Sequence, residues 1–256
     1  MRSSGRLRVA SRLTQVVGLL GACLVRYYAA LPFGRQGVVP RAFLAGLLPI
    51  IGGKLTVRGE VSPGRTFLLA NHVSWIDILA LAKATGTALI AHDGLAQSTP
   101  LRWLCRLNQT VFVARGDRQS VATQIRQVRD ALNESRVLTI FPEGTTGDGT
   151  QLLPFKSSLL AAVSQAEGDV AVQPVWIDYG VDTRELAWVG QEPGLDNALR
   201  VLSRRKPFQV TVHLLPPLSG AELDDRKTIA AAARRAIEER AAASSLRQEG
   251  QAEAPR

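Results

Sequence analysis

Short apolar runs alternate with helical patterns along most of the chain, from Lys54 onward. Apolar runs bounded by Gly, Pro or polar turn residues are typical of buried strands. They predict strands at residues 54–58, 66–70, 87–91, 110–114, 137–141, 170–177 and 208–215. Apolar residues at helical spacing predict helices at residues 74–85, 99–107, 118–133, 157–166, 196–204 and 221–240. The alternation predicts an α/β fold, with a mixed, largely parallel sheet flanked by helices.

The segment before this alternation carries two apolar runs, at residues 16–25 and 42–51, with Arg26 and several Pro and Gly residues between them. A membrane-spanning helix needs about 20 apolar residues, and each run is shorter. Arginines and tyrosines flank the runs, so residues 1–53 are predicted to form a hairpin of two short helices that lies in one leaflet of an anionic membrane. A hairpin buried in the soluble core is the alternative. Residues 241–256 have little to bury and are predicted to be a disordered tail.

Composition limits the possible partners without choosing among them. The chain has 256 residues, 46% of them hydrophobic, which is enough for one substantial core. A net charge of +9 favours nucleic acid, an anionic bilayer or a phosphorylated substrate as partner. Cys23 and Cys105 are the two cysteines, so neither a disulfide framework nor a zinc site is indicated, and a reducing cytoplasmic setting fits.

A histidine stands where a predicted strand turns into a predicted helix. Residues 71–77 read Asn-His-Val-Ser-Trp-Ile-Asp, between two apolar runs. A neutral imidazole at such a turn can take a proton from a hydroxyl, and an aspartate in reach would fix its tautomer. Five helical residues turn by about 500°, so His72 must precede the helix proper and curl back over Asp77 in its first turn. Ser74 or Asn71 is expected to cap that helix.

A glycine-rich loop follows the predicted strand at 137–141 and begins Pro-Glu-Gly-Thr-Thr at residues 142–146. Its amide groups could form a nest for a phosphate or for a developing oxyanion. Glu143 is interpreted as an acceptor of hydrogen bonds from substrate hydroxyls or as a brace for Arg115. Lys156 follows the loop and could meet the phosphates of a donor. The sequence has no Gly-x-Ser-x-Gly elbow, Walker loop, dinucleotide fingerprint or paired-cysteine metal motif.

Together, Asn-His-x4-Asp at residues 71–77 and Phe-Pro-Glu-Gly-Thr at residues 141–145 resemble the glycerolipid acyltransferase family, the lysophosphatidate acyltransferases and their relatives. Residues 111–115, ending in Arg115, look like the arginine-bearing block of the family, and residues 172–175 look like its proline-bearing strand. The resemblance covers roughly residues 55–215, within a predicted acyltransferase domain at 54–240. The family usually has an arginine where this chain has Thr146.

The resemblance implies transfer of a fatty acyl group from acyl-CoA or acyl carrier protein to the hydroxyl of 1-acylglycerol-3-phosphate, giving phosphatidate. The reaction is expected at the cytoplasmic face of the cell membrane, with membrane lipids as partners and without nucleic acid, metal or cofactor. His72 and Asp77 are the expected catalytic residues. The expected substrate-binding residues are Arg115, Glu143, Gly144, Thr145, Thr146 and Lys156.

Three other functions stay open. Thr146 makes the loop similar to that of relatives that acylate other lysolipids, notably lyso-ornithine lipid. A lipid or thioester hydrolase could use the same His-Asp pair with water in place of an acceptor. A basic membrane-binding or nucleic-acid-binding protein without catalysis would not need the pair at all.

Overall fold

The computed structural model describes residues 3–34, 37–92, 110–113 and 121–252. Its strands are β1 Gly53–Arg58, β2 Arg65–Ala70, β3 Ala88–His92, β4 Val111–Val113, β5 Val137–Ile140, β6 Val170–Asp178 and β7 Phe208–Leu214. They form one sheet in the order β1-β7-β6-β2-β5-β3-β4. Neighbouring strands are parallel except for β6 and β7, which are antiparallel. The predicted mixed, largely parallel sheet and its seven strands are confirmed.

The α-helices are α1 Ser3–Ala30, α2 Val38–Ile50, α3 Ile76–Thr85, α4 Val121–Glu134, α5 Thr183–Leu186, α6 Gly194–Ser203 and α7 Arg226–Ala252. The segment predicted as a helix at 157–166 is the 3-10 helix Ser158–Gln165. The helix predicted at 99–107 lies outside the described residues. Five of the six predicted helices are therefore present in the described part of the chain, one of them in the tighter form.

Strand β2 carries the core on both of its faces, because successive side chains of a strand point to opposite sides of the sheet. Leu68 and Ala70 pack with side chains of α2, α3 and α6. Phe67 and Leu69 pack with side chains of α4, the 3-10 helix and α7. These four side chains are fully buried. Helices thus cover both faces of the sheet, and the carboxyl ends of the parallel strands β2, β5 and β6 meet at one edge.

The N-terminal segment differs from the predicted hairpin of two short helices. Helix α1 is continuous over 28 residues, because the arginines that interrupt its apolar run are good helix formers. Arg8 and Arg12 donate hydrogen bonds to carbonyl groups at the end of α6, including those of Val201 and Ser203. By length and composition alone, Ser4–Phe33 is long and apolar enough to cross a membrane.

Helix α2 belongs to the core, as the alternative interpretation of the segment expects. Its buried side chains are Val39, Pro40, Phe43, Leu44 and Leu48. Helix α1 instead leaves Leu7, Val17 and Val25 about 70% exposed, at 73%, 69% and 71%. The two N-terminal helices therefore have different surroundings.

Helix α7 extends the predicted helix at 221–240 by a further 12 residues, to Ala252. The segment from 241 to 252 was expected to be disordered, and that expectation is wrong for the described residues. Its Ala, Arg, Gln and Glu residues have high helix propensity, and they continue a helix already packed through Ile229 and Ala233.

Candidate active site

His72 and Asp77 meet where β2 ends and α3 begins. His72 lies in the turn between the two elements, and Asp77 is the second residue of α3. His72 Nδ1 lies 2.8 Å from Asp77 Oδ2. The Asp77 side chain is fully buried, whereas that of His72 is 17% exposed. The expectation that His72 precedes the helix and curls back over Asp77 is confirmed.

Asp77 holds the turn together through both of its carboxylate oxygens. Oδ2 accepts backbone hydrogen bonds from Val73 at 2.7 Å and Ser74 at 2.9 Å, in addition to the imidazole of His72. Oδ1 accepts the hydroxyl of Tyr179 at 2.5 Å. Because an ionised carboxylate only accepts hydrogen bonds, His72 Nδ1 carries the proton and Nε2 is left with its lone pair.

Neither Ser74 nor Asn71 caps α3, so the predicted helix cap is wrong. Trp75 is the residue before the helix, and no side chain caps it there. Asp77 satisfies the amides of the turn from inside the first turn of the helix. Asn71 bonds elsewhere: its Nδ2 donates to the Ile177 carbonyl at 3.1 Å, and its Oδ1 accepts from the Ile177 amide at 2.7 Å. The asparagine of the motif therefore links the end of β2 to β6.

A cavity of about 350 Å³ opens beside His72 at the carboxyl edge of the sheet. The imidazole stacks on Phe141, with ring centroids 3.9 Å apart and an interplanar angle of 15°. Asp178 and Trp176 of β6, Thr183 of α5 and Glu238 of α7 also line the cavity. None of the described residues that line it is a lysine or an arginine. A basic imidazole nitrogen thus lies at a cavity whose described charged groups are carboxylates.

Glu143 braces the histidine turn against the glycine-rich loop. Its Oε1 accepts the backbone N–H of His72 at 2.8 Å, and its Oε2 accepts that of Leu153 at 2.9 Å. Burial raises the pKa of Glu143 above its usual value, while these two hydrogen bonds act in the opposite direction. The sequence predicted contacts with substrate hydroxyls or with Arg115, which lies outside the described residues. In the structure both oxygens contact backbone amides.

Two backbone amides of the glycine-rich loop donate hydrogen bonds that fix its shape. Gly144 N–H donates to the Phe141 carbonyl at 3.0 Å, and Gly147 N–H donates to the His72 carbonyl at 2.8 Å. Gly144 has a φ of 70°, which favours glycine, and a Cβ there would come within 2.6 Å of Lys156 Nζ. The ammonium group of Lys156 therefore lies against the loop that follows β5.

Thr146 takes part in holding the loop. Its hydroxyl donates a hydrogen bond to the Trp188 carbonyl, and the Trp188 amide donates to the Val73 carbonyl at 2.9 Å. The side chain of Thr145 is exposed. Thr146 thus links the glycine-rich loop to the segment after α5. The family usually has an arginine at the position of Thr146.

Tyr179, Asp178 and Glu238 were not among the predicted site residues. Tyr179 is 2% exposed, and burial together with the charge of Asp77 raises its pKa well above the usual value. The phenol therefore stays protonated and donates to Asp77. The sequence does hold one signal for Tyr179, which directly follows β6. Residues that follow the parallel strands β2 and β6 converge at one edge of the sheet. Glu238 comes from a distant helix, and no local pattern marked it.

In the part of the chain that the structure describes, no group of three or more His, Cys, Asp and Glu side chains could hold a metal ion. His213 of β7 is buried and stacks on Trp176, with ring centroids 4.7 Å apart. Burial lowers its pKa to about 4. His213 does not line the cavity beside His72, so of these two histidines it is His72 that can act there.

Comparison with known proteins agrees with the fold and with the motifs. The acyltransferase family model matches residues 54–178. A lyso-ornithine lipid O-acyltransferase of Rhodobacter capsulatus is 33% identical over 73% of this chain and 70% of its own length. One from Pseudomonas aeruginosa is 32% identical over 91% of this chain and 93% of its own. The chain therefore belongs to the acyltransferase family.

More distant relatives include a 1-acyl-sn-glycerol-3-phosphate acyltransferase of Neisseria gonorrhoeae, 27% identical over 64% of each chain. The crystal structure of the 1-acyl-sn-glycerophosphate acyltransferase PlsC from Thermotoga maritima superimposes with a TM-score of 0.63. The match covers 92% of this chain and 95% of the PlsC chain at 21% sequence identity, so it shows that the two folds are similar.

The resemblance predicted from the two motifs is confirmed, and the chain is an acyltransferase that uses an acyl donor. Its relatives acylate lipids, and its N-terminal helix is apolar and largely exposed. These two features indicate association with a membrane.

Proposed function

We propose that this acyltransferase transfers a fatty acyl group from a thioester to the free hydroxyl of a lysolipid, with His72 as general base. The observation that carries the proposal is the hydrogen bond between His72 Nδ1 and the buried Asp77, beside the cavity. It leaves Nε2 as the proton acceptor. A general base placed in this way contributes on the order of 10²–10⁴ in rate.

The proposed reaction proceeds through attack on the thioester carbonyl. His72 Nε2 takes the proton of the lysolipid hydroxyl as its oxygen bonds to the carbonyl carbon, and a tetrahedral oxyanion forms. Collapse of the oxyanion breaks the carbon–sulfur bond, and the imidazolium returns the proton to the departing thiolate. Asp77 orients the imidazole and stabilises its positive charge. Amides of the loop between Gly144 and Gly147 are candidates to hold the oxyanion.

We propose a lysolipid with an ornithine headgroup as the acceptor. Asp178 at the cavity would attract the ammonium group of ornithine and repel a phosphate, and Glu238, which also lines the cavity, is paired with Arg234 at 2.9 Å. Thr146 replaces the usual arginine and bonds to the backbone. The lyso-ornithine lipid acyltransferases of R. capsulatus and P. aeruginosa are more similar to this chain than the neisserial relative is.

The second candidate acceptor is 1-acylglycerol-3-phosphate, with phosphatidate as product. The ammonium group of Lys156 lies against the loop after β5 and supports this alternative, because it could meet a phosphate near the site. Arg115, outside the described residues, is the cation that the family resemblance associates with the phosphate of the acceptor, whereas Lys156 was expected to meet the phosphates of the donor. In either case Glu143, Gly144, Thr145 and Thr146 form the loop that borders the acceptor.

Within the predicted segment 1–53, we propose that helix α1 attaches the protein to the cytoplasmic face of the cell membrane. The exposed apolar side of α1 supports this role, and Arg8 and Arg12 hold the helix against the acyltransferase domain. Basic residues near an anionic surface contribute about 1 kcal/mol each. The acyl donor would be acyl-CoA or acyl carrier protein, and no metal or further cofactor enters the proposed mechanism.

A substrate panel tests the proposal. Purified full-length protein in vesicles receives acyl-CoA or acyl-loaded carrier protein, with lyso-ornithine lipid or lysophosphatidate, and the lipid products are resolved by mass. We expect acyl-ornithine lipid to form at least about tenfold faster than phosphatidate, the discrimination that one charged contact gives. Faster phosphatidate formation would establish the second candidate. Acyl release without any acceptor would identify a hydrolase, and unchanged function of His72→Ala would exclude the mechanism.

A further inference from the structure

Tyr179 is a buried phenol whose hydroxyl has a single described partner, the carboxylate of Asp77. It follows β6 directly, and its hydroxyl donates to Asp77 Oδ1 at 2.5 Å. Its ring packs against Phe208 of β7, with centroids 6.3 Å apart. The side chain is 2% exposed, so it can touch neither the acceptor nor the acyl donor. Packing fixes the direction in which the hydroxyl points.

We propose that Tyr179 is a positioning residue of this acyltransferase, which acts through Asp77 to set the orientation and the proton affinity of His72. The inference rests on the proposed function of His72 as general base. It adds a third member, Tyr179, to the pair that the sequence motif marks, and this member comes from a different part of the chain.

Two independent sets of donors hold the carboxylate of Asp77. Val73 and Ser74 donate backbone N–H groups to Oδ2, the oxygen that also faces His72. Tyr179 alone among the described residues donates to Oδ1. Without the phenol, Oδ1 would be a buried acceptor lacking a partner, and the carboxylate could rotate to seek one. Such movement would loosen the orientation of the imidazole, while the amides of Val73 and Ser74 keep Oδ2 beside His72.

The same hydrogen bond affects charge. A donor at Oδ1 draws negative charge of the carboxylate toward that oxygen and away from Oδ2. Removing it concentrates the charge on the oxygen that faces His72, which favours the protonated imidazole. A protonated imidazole cannot act as a base, so a higher pH would be needed for activity. Tyr179 therefore keeps His72 available as a base at lower pH.

Other charged groups lie around His72 and Asp77, and a substitution of Tyr179 does not change them. Glu143 faces His72 and Asp77 from the loop after β5, and its charge acts on both. Asp178 and Glu238 line the cavity from β6 and α7. A change confined to the Tyr179 hydroxyl leaves these carboxylates in place, so a change in pH dependence can be assigned to the Tyr179–Asp77 hydrogen bond.

The test is the pH dependence of kcat/KM for Tyr179→Phe in vesicles, with acyl-CoA and the best acceptor of the panel. Phenylalanine keeps the ring that packs on Phe208 and removes only the hydroxyl. We expect the half-maximal pH of the acidic limb to rise by about half a unit to one unit. At the optimum, kcat should fall about three- to thirtyfold, with KM for the donor unchanged. Tyr27→Phe, on the inner side of α1, is the matched control and should change neither.

Two further variants separate the possible outcomes. If His72→Ala keeps its activity, the proposed function fails. If His72→Ala is inactive while Tyr179→Phe keeps the wild-type pH profile, only the inference about Tyr179 is overturned. Should Tyr179→Phe fail to fold, Tyr179→3-fluorotyrosine keeps the ring and the hydroxyl, and its stronger donor should lower the half-maximal pH. An unchanged or raised value in that variant would also overturn the inference.

Discussion

The carboxyl edge of the sheet, where His72 meets Asp77, and helix α1 are stabilised in opposite ways. At the edge, Asp77 and Glu143 are buried, and each of their four oxygens accepts at least one hydrogen bond from the protein. Along α1, apolar side chains such as Leu7 and Val25 are exposed, and the helix is anchored by arginines at α6. Among the described residues, the carboxylates at this edge are fully hydrogen-bonded, whereas one side of α1 is exposed. Substitutions in the two regions should therefore affect different measurements.

The largest expected effect is on the turnover rate and comes from a substitution at the carboxyl edge of the sheet. His72→Ala should lower kcat by about 10²–10⁴, because it removes the general base while leaving the sheet intact. Vesicle flotation of the variant should equal that of the wild type, and its thermal unfolding should change little. Turnover near the wild-type value at saturating substrates would remove His72 from the mechanism.

The exposed side of α1 should govern membrane affinity without affecting the chemistry. Leu7, Val17 and Val25 replaced together by Gln should weaken flotation with anionic vesicles by at least about tenfold, since each buried apolar side chain contributes roughly 1.5–3 kcal/mol. Turnover on substrate dissolved in detergent should stay unchanged. Val181→Gln is the control, because Val181 is 96% exposed on the acyltransferase domain.

Equal flotation of the triple variant and the wild type would assign membrane attachment to another surface. Deleting residues 1–52 is a poorer test than substitution. It would also remove Phe43, Leu44 and Leu48 of α2, which are buried in the core.

Glu143→Ala should affect both stability and rate. It leaves the backbone N–H groups of His72 and Leu153 without their acceptor, so the free energy of unfolding should fall by about 1–3 kcal/mol. The rate should fall with it, because the His72 turn loses its brace. Asp148→Asn is the control in the same loop, since Asp148 is exposed and contacts Thr150. Equal urea midpoints for Glu143→Ala and the wild type would contradict the bracing role.

The last effect concerns pH and a buried histidine that stacks on Trp176 without lining the cavity itself. His213 has a pKa of about 4 in the folded protein, against 6.5 when unfolded. The unfolded chain therefore binds a proton first as the pH falls, and the free energy of unfolding should decrease between about pH 6.5 and pH 4. In His213→Gln this decrease should be smaller, which urea titrations at pH 7 and pH 5 can measure. An identical slope in both proteins would mean that His213 is not buried as a neutral ring.

Local patterns predicted the parts of the molecule that depend on local sequence. Seven short apolar runs gave seven strands, because each run is bounded by residues that end a strand. His72 and Asp77 were found together, because one turn of chain joins them. Helix α1 is longer than its apolar run predicts, because arginine side chains are compatible with a helix and here bind the carbonyls of α6.

The rest of the site depends on contacts between distant parts of the chain. Tyr179 lies 102 residues from the carboxylate it contacts, and Leu153 lies 10 residues from Glu143. Neither contact follows from spacing, and the first needs the parallel pairing of β2 with β6. Glu143 contacts the backbone amides of His72 and Leu153 instead of the predicted substrate hydroxyl or Arg115, since a sequence does not show which backbone amides a carboxylate will meet.

The most direct test of the account is a double-mutant cycle on His72 and Asp77, measured as the rate of acyl transfer to the best acceptor of the panel. Asp77→Asn keeps the size of the side chain and removes its charge, so the imidazole loses its orientation and should retain only part of its activity. The account predicts that His72→Ala combined with Asp77→Asn is no slower than His72→Ala alone, because both residues act through one proton transfer. Losses that multiply in the double variant would show that the two residues act independently and would contradict the account.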